Sequence, residues 1–229
     1  MNLLLLSPDE LLPDGTARVQ GRRARHVAEV LRAGVLGGKL GTARLLALED
    51  DGAHLALTLT EPPPPRPGVD LLLAMPRPKA VRRVLAAVAS LGVDRLVLLN
   101  AARVEKSYFD SKVLAEARIH KHLLDGLEQA QDTVLPEVVV AERFRPFVED
   151  TLEGLVGPSQ RRVLHPGPME GSRPSSGERL VLAIGPEGGW VPFERELLAA
   201  HGFTPLGLGP RTLRMETVVP FALGWAAAR

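Results

Sequence analysis

Residues 182–198, LAIGPEGGWVPFERELL, leave an apolar run through a sharp turn holding Gly185, Gly188 and Gly189 beside Pro186 and Glu187. Glycine lets a backbone adopt angles closed to other residues and lets a ligand approach the main chain. Pro192 fits the first turn of a helix, where its missing N–H is not needed. A strand, a glycine loop and a helix start together suit a bound small molecule. They equally suit an ordinary tight turn. Two further loops follow strand-like runs nearby, LHPG after RRVL and LGLGPRTLRMET after TPL. Ligands in open α/β sheets collect beyond the carboxyl ends of strands. Three such loops predict one pocket lined by backbone N–H and C=O groups, able to read an adenine edge without charged side chains. Arg214 and Glu216 stand just before the last helix, where a surface ion pair is the plain alternative.

Other chemistries are excluded. The chain has no Cys, which removes disulfides, thiolate nucleophiles and cysteine metal sites. GVLGGKLG has no Ser or Thr after Lys39 and lacks phosphate-loop spacing. No G-x-G-x-x-G follows a strand and no G-x-S-x-G elbow exists. His120 and His122 point to different sides of a helix, so no metal site is expected.

These loops need a scaffold, and 229 residues with 45% hydrophobic content can build one. The first segment shows short apolar runs, LLLL, ARLLAL and HLALTL, punctuated by Gly and Asp. It reads as a small β-rich, barrel-like domain. Within it RRARHVAEVLRAG predicts a short helix with Val27, Val30 and Leu31 on one face and Gly34 ending it. EPPPPRPG is a stiff connector that places the domain boundary, giving domains 1–66 and 67–229. Beyond it strands and helices alternate: VDLLLAM, then a helix with Val81, Val84, Leu85 and Val88 inward and Gly92 closing it, then DRLVLLN. A long helix capped by Asp110 runs to about Gln131, with Val113, Leu114, Ala117, Leu124 and Leu127 inward. EVVVA, RRVLH, RLVLAIG and TPLGLG are strands; FVEDTLEGL, PFERELLAAHG and VVPFALGWAAA are helices. The alternation predicts a mostly parallel α/β sheet. PGPMEGSRPSSG reads as a surface loop.

Net charge is only +1, yet its distribution is uneven. Seven basic residues against one acid, Glu29, lie between Arg18 and Arg44, including Arg22, Arg23, Arg25 and Arg32. Further basic groups include Arg77 and Lys79, then Arg103 and Lys106. Segregated basic patches fit a polyanion such as nucleic acid; each alone also fits a solvated surface. No apolar run is long enough to span a bilayer and MNLLLLSP is too short for a signal peptide, so a cytoplasmic protein is expected.

The residues LAIGPEGGW, LLAAHGF and LGLGPRTLRMETVVPFAL together resemble the carboxyl-terminal signature of the RsmE family of ribosomal RNA methyltransferases, within the SPOUT superfamily. AMPRPKAVRRVLAAVASLGVDRLVLLNAARV, DGLEQAQDTVLPEV and RHVAEVLRAGVLGG are similar to earlier elements of that family, so the resemblance spans nearly the whole chain. It departs at three places. Asp132 and Thr133 stand where the family has Gly-Arg, Ala102-Arg103 where it has Glu-Arg, and Gly37-Gly38 where it has Gly-Asp. An RNA contact through the missing Arg is therefore not carried over.

The resemblance implies a PUA-like or OB-like β-barrel before a knotted SPOUT α/β domain whose trefoil knot lies near the carboxyl terminus. It implies a homodimer that methylates N3 of a uridine in small-subunit ribosomal RNA, free or in the assembled subunit, using S-adenosylmethionine. Contacts to that cofactor are expected from Leu164, His165, Ile184, Gly185, Pro186, Glu187, Gly188, Gly189, Leu206, Gly207, Leu208, Gly209, Leu213, Arg214, Glu216 and Thr217. His165 also reads as a buried strand-end residue. Uracil N3 must lose a proton and spread charge onto O2 and O4, which a nearby cation stabilises. Arg103 and Arg214 are the candidates, with Glu216 to accept the proton or hold Arg214. Arg18, Arg22, Arg23, Arg25, Arg32 and Lys79 are expected to contact RNA. Two other functions stay open from the residues alone: a related methyltransferase acting on transfer RNA or a ribose hydroxyl, and an RNA-binding assembly module without catalysis.

Overall fold

A computed structural model describes residues 3–24, 27, 30–50, 52–168 and 177–227. Among these residues the chain forms two sheets. One compact unit comprises Met1–Pro65 with Leu123–Leu135, and the other Arg66–His122 with Pro136–Arg229.

The first unit holds β1 (Leu4–Leu6), β2 (Thr16–Gln20), a four-residue helix α1 (Gly21–Ala24), β3 (Val30–Val35), β4 (Leu40–Leu48) and β5 (Gly52–Glu61). Its five strands run in the order β1-β3-β4-β5-β2. β1 is parallel to β3 and the remaining pairs are antiparallel. Leu4, Leu6, Ala17, Val19, Ala33, Ala43, Ala53 and Leu55 make its core. The expected helix over RRARHVAEVLRAG is corrected in its second half: Gly21–Ala24 is helical, residues 25, 26, 28 and 29 lie outside the described residues, and Val30–Val35 is a strand paired on both sides, Leu4 opposite Ala33 and Leu31 opposite Ala43. A short apolar run fits periods of 3.6 and 2 alike, and two ladder partners decide between them. Gly34 is no helix stop. A Cβ there would lie 2.7 Å from both Leu40 Cδ2 and Thr133 Cγ2.

Two of the places where the chain departs from the family pattern meet in this unit. Thr133 Oγ1 donates to Gly38 O at 2.7 Å, and Gly37 N–H donates to Thr133 O at 2.7 Å. Asp132 Oδ1 accepts the N–H groups of Thr133 and Val134. Both side chains are buried. At these positions the chain therefore makes a clamp of backbone and short side-chain hydrogen bonds.

The second unit builds a six-stranded sheet, all parallel, from β6 (Val69–Ala74), β7 (Arg95–Leu99), β8 (Glu137–Ala141), β9 (Gln160–His165), β10 (Leu180–Ile184) and β11 (Thr204–Gly207). The order is β11-β9-β10-β6-β7-β8. Strands covered on both faces are near-continuously apolar; β6 and β10 are buried throughout. The helices are α2 (Pro78–Ser90), α3 (Glu116–Ala130), whose residues from Leu123 on belong to the first unit, α4 (Phe144–Pro146), α5 (Leu152–Val156), α6 (Pro192–Ala200) and α7 (Met215–Ala227), with a π turn at Phe147–Thr151. In α2 the predicted face of Val81, Val84, Leu85 and Val88 is inward, and Gly92 ends the helix in a left-handed conformation (φ 69°). The long helix is shorter than expected: Lys106–Tyr108 and Lys112–Leu114 are 3-10 turns, and α3 starts at Glu116. Its buried residues are Leu123, Gly126 and Leu127, and Ala117 is exposed. Short polar residues around Asp110 and Ser111 favour turns over continuous helix. Most of PGPMEGSRPSSG lies outside the described residues.

The amino ends of the parallel strands are tied by charge. Buried Asp70 on β6 takes both oxygens to Arg179 Nη2 at 3.0 and 2.9 Å, with Arg95 at 3.5 Å. Burial pushes the Asp70 carboxyl up, against the pull of Arg179. That leaves the carboxyl ends, at the opposite edge, for a ligand.

Candidate active site

Beyond the carboxyl ends of β9, β10 and β11 lies a cavity of about 300 Å³, the low end of a small-molecule site. The three loops singled out in the sequence line it. His165, at the end of β9, is exposed and not buried, with Nδ1 2.9 Å from Pro166 O. Gly167 and Gly209 pair reciprocally, N to O at 3.0 and 2.9 Å, stitching the loop after β9 to the loop after β11. After β10 the N–H of Gly189 closes a turn on Pro186 O at 2.7 Å.

The glycines differ in what they are for. Gly189 and Gly209 have φ of 74° and 107°, conformations that side chains resist. At Gly207 a Cβ would stand 1.9 Å from Pro168 O, so the two chains touch through backbone alone. At Gly185 a Cβ would lie 2.9 Å from Trp190 Nε1. Gly188 has ordinary backbone angles; a Cβ there meets Arg103 Cδ at 3.0 Å. The loop is therefore shaped by close approach at Gly185 and Gly188 and by backbone angle at Gly189.

Of the expected cofactor contacts, Leu164, His165, Ile184, Gly185, Pro186, Glu187, Gly188, Gly189, Leu208, Gly209 and Leu213 line the cavity. Leu206 and Gly207 sit one layer behind, opposite Leu164 and His165 in the sheet. Arg214, Glu216 and Thr217 are outside the lining. Arg214 is exposed, and the Glu216 carboxylate meets Arg83 at 3.2 Å instead of Arg214. Their spacing of two puts them on different sides as α7 begins at Met215. Arg103 does line the cavity, and its guanidinium donates to Gly188 O.

Trp190, which the sequence reading did not single out, lines the wall, and Glu194 braces the loops behind it. Trp190 is 8% exposed and packs on Phe144 with ring centroids 5.7 Å apart. Its buried indole N–H has no partner among the described residues. Glu194 is 2% exposed, and its carboxylate accepts the N–H of Ala102 at 2.6 Å and of Val191 at 2.9 Å. It ties the Arg103 loop to the glycine loop. A glutamate in the first turn after Pro192 was the available signal. With largely apolar walls, loop backbone groups and the charged side chains of Arg103, Glu187, Arg195 and Arg211 in its lining, the cavity fits a nucleoside carrying a charged aliphatic arm. Among the described residues no cluster of His, Asp or Glu could hold a metal ion.

The expected RNA contacts in the first unit are largely paired within it. Arg18 meets Glu49, Arg32 meets Glu61 through two 2.8 Å bonds, and Arg23 meets Glu10 at 2.8 Å and donates to Leu5 O. Folding brings acids opposite a segment that is nearly all basic in sequence. Lys79 is exposed at the start of α2. Arg25 and the Arg22 side chain lie outside the described residues.

Residues 63–227 match a family described as RNA methyltransferase domain. The ribosomal RNA small subunit methyltransferase E of Treponema pallidum is 33% identical, over 95% of this chain and 87% of that protein. The Synechocystis protein of the same name is 28% identical over 96% of this chain and 75% of its own length. A solved ribosomal RNA small subunit methyltransferase E from Neisseria gonorrhoeae, bound to S-adenosyl methionine, superposes with a TM-score of 0.73 at 21% identity, over 97% of this chain and 95% of that one.

Proposed function

The chain belongs to the RNA methyltransferase family of the ribosomal RNA small subunit methyltransferase E proteins, and on that premise we propose that it methylates N3 of a uridine in small-subunit ribosomal RNA. The observation that carries this reading is the glycine-walled cavity beyond β9, β10 and β11, with Arg103 in its lining. When bound there, S-adenosylmethionine supplies a methyl carbon on a sulfonium sulfur that departs with the bonding pair.

The chain's residues do the rest. Leu164, Ile184, Leu208 and Leu213 cover the apolar parts of the cofactor, and the loop backbones meet its polar edges. Glu194 ties Ala102, next to Arg103, to the start of α6. Arg103 stabilises the negative charge that uracil develops as N3 is deprotonated. Positioning supplies much of the acceleration, because in-line displacement demands alignment. Arg214, exposed beside Leu213, is free of the cavity and suits an RNA phosphate.

We further propose that residues 1–66 close into a PUA-like RNA-binding barrel and that 67–229 carry the trefoil knot. Support for the first is the largely antiparallel sheet with register shifts in β4 and β5. Support for the second is the sheet order, in which β11 follows β10 in sequence yet pairs on the far side of β9. The proposed assembly is a cytoplasmic homodimer. Titration with S-adenosylhomocysteine tests the reading against a non-catalytic RNA module: saturable binding supports the enzyme, and no binding refutes it.

A further inference from the structure

Next to the cofactor cavity, on the other side of Arg103, lies a slot of about 170 Å³ beyond the carboxyl end of β6. Arg103, Pro186, Glu187 and Gly188 line both spaces. Met75 and Met215, both buried, lie at its base, and Tyr108 offers a ring. Arg77, Arg103, Glu105 and Glu187 supply its charges. Arg77 Nε lies 3.0 Å from Glu187 Oε2 with both side chains more than half exposed, 68% and 52%. An ion pair that open contributes little to folding, so both groups are available to a ligand.

An apolar base, an aromatic ring and two guanidinium groups are what a single unstacked base requires. Uracil presents two carbonyl oxygens flanking N3–H, an acceptor-donor-acceptor edge that arginine and a carboxylate match. We infer that this slot holds the target uracil and that Glu187 removes its N3 proton. The inference rests on the methyltransferase reading above. The N3–H bond breaks, the proton passes to a Glu187 carboxylate oxygen, and the electron pair stays on N3 and spreads to O2 and O4. Arg77 and Arg103 hold that charge. Glu187 takes the role expected of Glu216, whose carboxylate is engaged by Arg83 and lies outside both spaces.

Two substitutions test this, Glu187→Gln and Arg77→Ala, with three readouts. These are titration with S-adenosylhomocysteine, saturation-transfer NMR of uridine 5′-monophosphate on the S-adenosylhomocysteine complex, and single-turnover methylation of small-subunit ribosomal RNA across pH. Glu187→Gln is expected to keep both ligands within a few-fold and to lower transfer about a hundredfold or more near neutrality. Transfer should then recover as rising pH ionises uracil in water, a response that a merely structural role would not give. Arg77→Ala is expected to weaken the nucleotide about tenfold or more and leave S-adenosylhomocysteine unchanged. Native-rate transfer by Glu187→Gln, a loss independent of pH, or unaltered nucleotide contact in Arg77→Ala would each overturn the inference. Failure of the native protein to methylate the RNA would instead overturn the function, while the nucleotide readout still judges the slot.

Discussion

Glu194 Oε1 accepts the backbone N–H of Ala102 at 2.6 Å, joining two segments 92 residues apart. The same carboxylate accepts from Val191 at 2.9 Å. Hydrogen bonds to a charged group contribute about 1.5–3 kcal/mol, and here a buried group would lose two of them. Glu194→Ala should therefore lower Tm by roughly 2–4 °C for each kcal/mol lost, and weaken S-adenosylhomocysteine by about tenfold. Calorimetric unfolding beside isothermal titration checks both. Native values in each would show that the carboxylate organises nothing.

The glycines of the site should fail in different ways. Gly207→Ala drives a Cβ into Pro168 O, a backbone atom, and is expected to abolish cofactor binding. Gly189→Ala meets open space but keeps φ at 74°, so its cost is the roughly 1–2 kcal/mol of a left-handed alanine. Gly188→Val pushes on Arg103, so transfer should fall further than S-adenosylhomocysteine affinity. Equal behaviour of all three variants in titration would reject this ordering.

Arg103→Ala should lower methyl transfer by about a hundredfold or more, the scale of losing one charge-stabilising donor. Arg214→Ala should cost much less, since Arg214 is exposed and outside the cavity lining. Single-turnover rates on the same RNA compare them directly. The reverse ranking would return the catalytic cation to Arg214.

Stability should fall in acid partly through Glu153. The Arg161 guanidinium, bonded at 2.9 Å, holds that carboxyl below its ordinary 4.5. A depressed folded-state value adds stability above the unfolded value, and the gain is lost as pH falls through the folded one. Asp70 has the opposite sign, since burial raises its carboxyl and its contribution fades as pH rises. Glu153→Gln should therefore flatten the acid limb of a Tm–pH curve. An unchanged limb would assign acid unfolding to other groups.

Within the carboxyl-terminal sheet β6 and β10 were legible because they are buried on both faces and read as continuous apolar runs, while alternation with helices marked the partly exposed β8, β9 and β11. β3 was not, because six residues of mixed period take their conformation from β1 and β4. Of the candidate site, the glycine loops were visible in composition, and Arg103 came from the family resemblance. The partners of charged residues were not visible. Glu216 was read with Arg214, two residues away, whereas the packing of α2 against α7 brings Arg83 to it. Likewise Glu10 from a 3-10 turn, Glu49 from the turn after β4 and Glu61 from β5 reach a basic segment. The orphan N–H of Trp190 appears only once the loop has folded around it.

The central claim, methylation of uridine N3 in small-subunit ribosomal RNA, is tested most directly by mass mapping of that RNA. RNA lacking the modification would be incubated with S-adenosylmethionine and either the native protein or Arg103→Ala, then digested and mapped. The account predicts N3-methyluridine at one position with the native protein and its near absence with the variant. Unmodified RNA under both conditions, or a methyl group found on a ribose hydroxyl, would contradict it.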